Sequence, residues 1–194
     1  MKNLFFSALI ASVSLFFTAC GASYNNYDAA ADGIERIFND VKRSVGEDGQ
    51  IDELSISFSN EKGQTSMISY FVVDFQSKSD KNKLQRVSYH SYNGWSAIEP
   101  VEITVTGGNA SEYDLNDDVN SIAQVKTEVV RKIYDSALQK LSETCDDITF
   151  VSLSADLEAN RDVEYSAYLQ GTLKSNGVKD KFFFDYDKDG NQTK

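Results

Sequence analysis

The stretch Tyr165-Ser-Ala-Tyr-Leu-Gln-Gly-Thr-Leu-Lys174, then Ser175-Asn176-Gly177, then Val178-Lys-Asp-Lys-Phe-Phe-Phe-Asp185, reads as a long β-hairpin. Tyr165, Ala167, Leu169 and Leu173 alternate along the first arm, the period of a strand with one buried face. Asn-Gly supplies the positive φ angles that a tight hairpin turn demands. A long hairpin beside a helix implies antiparallel pairing, so the expected class is α+β.

Upstream of the hairpin, apolar residues recur at helical spacing twice. Ile34, Ile37, Phe38, Val41 and Val45 form one stripe, with Asp32 and Glu35 spaced as a capping box and Gly46 as its stop. Ile122, Val125, Val129, Val130, Ile133, Ala137, Leu138 and Leu141 form the other, opened by Asp117, Asp118 and Ser121 with Gln124. The Asn116-Asp117-Asp118 group places negative charge at the positive end of a helix dipole, a simpler role than cation binding. A shift of 96 positions lays the first stripe on the second, Ile34 on Val130 and Ile37 on Ile133. Both halves then read helix, strand, long strand, strand, turn. The expectation is two helix-plus-antiparallel-sheet repeats, 28–106 and 117–194, packed as one compact unit and joined by a polar linker at 107–116.

Within the first half, Leu54, Ile56 and Phe58 alternate with Ser55, Ser57 and Ser59. Met67 to Phe75 is apolar on both faces, which suits a central strand covered on both sides or one aiming tyrosines at a ligand. Val87, Tyr89 and Ser91 alternate with Ser88, His90 and Tyr92, and Val101, Ile103 and Val105 form an extra strand.

The run Gly171-Thr-Leu-Lys-Ser-Asn-Gly-Val178 followed by Phe182-Phe-Phe-Asp-Tyr-Asp-Lys-Asp-Gly-Asn191 resembles the end of PepSY-like domains, where a hairpin's last strand runs into an Asp-x-Asp-Gly turn. The tandem form of that family is similar to the β-lactamase-inhibitory-protein fold. The first half departs from the pattern, with Ser79-Asp80-Lys81-Asn82 in place of Asn-Gly. The resemblance implies binding or inhibition rather than catalysis, and no cofactor.

Lys2, an apolar run from Leu4 to Phe17, and Thr18-Ala19-Cys20-Gly21 describe a secretory signal ending at a cysteine. The run is short for a spanning helix, which needs about 20 apolar residues. Its end resembles the lipobox of bacterial lipoproteins. That resemblance implies cleavage after residue 19, a diacylglycerol on the Cys20 thiol and acylation of the new N-terminus, with palmitate-type chains holding the protein in the membrane. The expected place is the cell envelope, at the outer membrane of a Gram-negative bacterium, with residues 20–30 as a lipidated tether.

Without residues 1–19 the chain carries 18 basic and 30 acidic residues, net −12. This charge disfavours nucleic acid, which calls for a basic patch. Cys145, between Thr144 and Asp146-Asp147, lacks the positive surroundings that activate a thiol and reads as a packed residue.

Three groups carry candidate chemistry. Tyr89-His90-Ser-Tyr92-Asn-Gly-Trp95 holds the single His and single Trp of the chain. Aromatic rings at a strand end can stack on a sugar or anchor a protein interface, or else Tyr89 and Trp95 pack under a helix. One histidine makes a poor metal site, and no nucleophile-elbow pattern is present. Asp185, Asp187 and Asp189 with Gly190 match the opening of a calcium loop, but the chain's tenth loop position is Lys194 and the bidentate Glu at the twelfth is missing. A strand running into a turn is the plainer expectation.

Together these features predict a non-enzymatic envelope lipoprotein that binds a protein or glycan, with possible inhibitory action as the resemblance implies. The alternative is a structural or accessory lipoprotein of a larger envelope assembly. Clustering of Tyr70, Tyr89, Tyr92, Trp95, Tyr165 and Tyr168 on one open surface would favour binding.

Overall fold

The hairpin forms where its pattern places it. In the computed structural model, which describes residues 26–61, 66–104, 112–157 and 159–194, its arms are Glu164–Leu173 and Lys179–Tyr186. Gly177 takes φ 72°, and its N–H donates to the Leu173 carbonyl at 2.8 Å, closing the turn.

In chain order the elements are α1 (Gly33–Val45), β1 (Gln50–Phe58), β2 (Ile68–Gln76), β3 (Leu84–His90), β4 (Gly94–Trp95), β5 (Glu99–Val101), β6 (Asn120–Ser121), α2 (Thr127–Ser142), β7 (Cys145–Asp156), β8 (Glu164–Leu173) and β9 (Lys179–Tyr186). The strands join in one sheet of order β4-β3-β2-β1-β7-β8-β9, with β5 beside β3 and β6 beside β1.

This overturns the expectation of two helix-plus-sheet repeats. The protein is mostly antiparallel sheet, 41% strand against 22% helix, curled into a half-barrel with two helices among the described residues. The seam is the reason. β1 pairs directly with β7, Ser55 opposite Ser154 and Ile56 opposite Leu153, so neither half ends in a free edge there. Strand alternation reports which face is buried and is silent about which strand lies alongside.

Both helices lie over one face of the sheet. Ile34, Ile37, Phe38 and Val41 of α1 and Val130, Ile133, Tyr134 and Ala137 of α2 share one core with Ile56, Phe71, Tyr89, Leu153 and Leu169. Arg131 ties the helices together, donating to the Ala29 carbonyl and approaching Glu35 at 3.4 Å.

Several local expectations change. Tyr27 and Ala29, placed in the expected tether, are fully buried and belong to the core. Asp32 makes no side-chain cap and instead pairs with Arg36 at 3.4 Å. Gly33 is required by close approach, since a Cβ there would meet the Asp28 backbone at 2.5 Å. α2 begins at Thr127, not Ile122. Val125 is extended, and Ile122–Gln124 is a separate 3-10 turn capped by Ser121. Asp117 ends another such turn, Leu115–Asp117, ahead of β6 and α2. The extra strand is shorter than expected, Glu99–Val101, and Val105 lies outside the described residues. So do residues 107–111 of the linker; its remainder places Leu115 in a second small apolar cluster with Leu84 and Val119. Leu84 shares a strand face with Arg86 and His90, so this cluster covers one corner of the sheet face that carries no helix among the described residues.

Candidate sheet-face binding site

The face away from the helices is built by strand alternation, which sends every second side chain there. Directly paired residues share a face, so the registers define rows that run across the strands.

One row is His90, Tyr70, Ser57, Ser152, Tyr168 and Phe183, from β3 to β9. At about 4.8 Å per strand these six positions span about 24 Å along the sheet. Rings flank both ends. Tyr70 and His90 lie 4.5 Å apart, and Tyr168 and Phe183 stack at 4.8 Å with an 8° interplanar angle. Phe183 is 69% exposed even with the Tyr168 ring stacked against it. The row ends beside Gly94, where no atom lies within 4 Å of an added Cβ.

The next row is Ser88, Val72, Ser55, Ser154, Ser166 and Asp185. Short side chains leave a shallow floor there. Ser166 donates to Asp185 at 3.0 Å.

The third row is Arg86, Asp74, Glu53, Asp156 and Glu164. Four carboxylates on neighbouring strands face one guanidinium. Arg86 grips Asp74 with two parallel hydrogen bonds of 2.6 Å, and that pairing holds the guanidinium proton more tightly than usual. Asp52, in the bulge beside Glu53, is pushed up to about 6 by partial burial and then by the charges of Asp74, Asp118, Glu53 and Asp156. An open cleft of about 510 Å³ continues this row toward the end of the sheet, between Asp156, Asp162, Glu164 and Asp185.

Asp52 gives a stability prediction whose sign is set by its raised value. The native state holds the proton more tightly than the unfolded chain, so ionisation costs stability as pH rises from about 4 to about 6, and the cost is full above that. Two pH units correspond to about 3 kcal/mol, reduced to about 1 kcal/mol because the carboxyl is only partly buried. Asp52→Asn should therefore stabilise the protein by about 1 kcal/mol at pH 7.5 and leave it unchanged at pH 3.5. Urea denaturation at the two pH values reads the difference; equal shifts at both would remove the electrostatic explanation.

The sequence-predicted aromatic quartet is split by the pleat. Tyr89 is 1% exposed and lies on the helix side, edge-on to Tyr27 at 4.7 Å. Trp95 joins it there, 5.6 Å from Tyr89, with its Nε1 donating to the Tyr27 hydroxyl at 3.1 Å. Tyr89 is a core residue, and Trp95 is half-buried against that core. His90 projects from the open face. Tyr92 is 73% exposed in the turn after β3, and its hydroxyl donates to Glu61 at 3.0 Å. Of the wider aromatic set, Tyr165 is buried, while Tyr70 and Tyr168 lie on the open face.

Asp185, Asp187 and Asp189 do not converge. Asp187 closes the terminal turn, its Oδ1 accepting from the N–H of Asp189 at 3.0 Å and of Asn191 at 2.8 Å. Gly190 takes φ 70° in that turn. Among the described residues no three His, Cys, Asp or Glu side chains are placed to hold a metal ion. Cys145 is buried, with Gly171 packed close to its Cβ. Cys20 lies outside the described residues.

Sequence reasoning missed Phe183 and the carboxylate row. The signal for Tyr168 was present, since it alternates with Tyr165, Ala167 and Leu169. Nothing in the spacing of Glu53, Asp156 and Glu164 announces that they are cross-strand neighbours.

Comparison of the chain with protein-family models, with curated proteins and with solved structures finds no match. No helix among the described residues is long and apolar enough to cross a membrane.

Proposed function

We propose that this protein is a non-enzymatic binding module of the cell envelope, held there by lipid on Cys20, and that the helix-free sheet face receives a protein or glycan. One observation carries the reading: the row from His90 to Phe183 ends in a tilted Tyr70–His90 pair and a stacked Tyr168–Phe183 pair, with His90 and Phe183 exposed, on a face that the described helices leave open. Stacked aromatic rings present a large, rigid contact area and rank among the strongest anchors of interfaces. The serine floor between them offers hydroxyls without the bulk that would block approach.

The test uses the soluble form, residues 21–194, sedimented with isolated outer membranes and with cell-wall sacculi. Wild type should co-sediment with one of these fractions. Tyr168→Ala/Phe183→Ala should lose at least tenfold in retention while keeping its melting midpoint, because both rings lie outside the shared core. Equal retention of the two proteins would remove the face from consideration.

The anchor is tested separately. Full-length protein should partition with membranes, and Cys20→Ser should be released. Identical partitioning of the two would refute lipidation at Cys20.

A further inference from the structure

The geometry points to a cationic polypeptide as the occupant of this face, a partner that sets lysine or arginine side chains against the carboxylate row and lays apolar surface on the rings. The inference rests on the reading of the sheet face as a binding surface and specifies its partner.

The first ground is a feature that the fold alone does not explain. Glu53, Asp156 and Glu164 are directly paired across β1, β7 and β8, and all three are exposed. Like charges directly opposite one another destabilise a sheet. Arg86, the one cation of the row, is already engaged by Asp74 through both guanidinium contacts. Cations do border the row: Arg161 lies beside Asp156 and Glu164, Lys188 pairs with Asp162 at 2.9 Å, and Lys194 comes within 4.0 Å of Asp185. They do not balance it, because the cleft alone sets six carboxylates against two lysines. Asp52, raised first by partial burial, is raised further by the charges of Asp74, Glu53 and Asp156 in this row. A surface of one sign steers and selects a partner of the other.

The second ground is spacing. The ring row and the carboxylate row are separated by four residues on β1, on β7 and on β8. That is about 13 Å along the strands. A single side chain or small cation cannot touch both rows, whereas about four residues of extended chain do. Rings at one end and carboxylates at the other suit basic side chains twice over, since ammonium and guanidinium groups also bind the faces of aromatic rings. A neutral glycan would use the rings and leave the carboxylates without a role.

The experiment titrates residues 21–194 with fluorescein-labelled octalysine, read by anisotropy at low and at physiological ionic strength, with chitohexaose as the neutral comparison. Glu53→Gln/Asp156→Asn/Glu164→Gln should bind octalysine at least tenfold more weakly than wild type. Glu128→Gln/Asp135→Asn/Glu143→Gln, which removes the same charge from α2 and its C-terminus, should bind as wild type does. A melting midpoint at or above wild type shows that the face variant is folded. Equal weakening in both variants, or no octalysine binding at low ionic strength, would overturn the cationic partner. Binding of chitohexaose that needs Tyr168 and Phe183, with no binding of octalysine, would overturn the cationic partner and leave the binding face standing. Failure of the face itself shows instead as equal retention in the sedimentation test.

Discussion

Tyr27→Ala should cost about 4 kcal/mol of folding stability, a large share of the roughly 5–15 kcal/mol that a domain has in total. The residue lies within the stretch expected to be a tether, yet it is fully buried. Its ring packs against Tyr89, its hydroxyl donates to Asp40 and accepts from Trp95, and the Arg36 guanidinium lies 5.5 Å over its face. Burial and the Asp40 contact push its phenol up to about 12. Truncation empties an aromatic site between α1 and β3 and strands two polar partners. Tyr27→Phe keeps the ring and strands only those partners, so its cost should be about 1–3 kcal/mol. Urea denaturation of the two variants measures both. A loss below about 1 kcal/mol for Tyr27→Ala would mean that the chain before α1 is not part of the core.

Arg86→Met should cost about 2–3 kcal/mol at pH 7.5. Asp74 is 3% exposed, and both of its oxygens are taken by Arg86. Removing the guanidinium leaves a buried carboxylate unpaired, the costly way to break an ion pair. The lower end of that range applies because the arginine side chain is 43% exposed. Asp74→Asn/Arg86→Met should recover part of the loss at pH 7.5. No recovery in the double variant would assign the effect to packing rather than charge.

What the sequence conveys here is local, and what it withholds is pairing. Asn176-Gly177 has one good backbone solution, so the β8–β9 hairpin could be read directly. The stripes from Ile34 and from Val129 announce helices because 3.6-residue spacing has no other compact use. The serines of β1 and β7 alternate in the same way whether those strands are edges or a central seam, so the continuous sheet was hidden and two repeats were inferred in its place. The same ambiguity hid the site. Tyr89 and His90 are adjacent in sequence and lie on opposite faces of the sheet, while His90 and Phe183 share one row across six strands. Asp32 and Glu35 have capping-box spacing, but Asp32 pairs with Arg36, a choice that spacing alone does not settle.

The central claim is that the helix-free face is where this protein meets its partner. Site-specific photo-crosslinking in intact cells tests it most directly. A photoreactive residue at position 183, or at position 168, should give a discrete higher-mass adduct. The same residue at position 135, exposed on α2, should give none. Adducts formed from position 135 and absent from 183 and 168 would place the contact on the helical side and contradict the account.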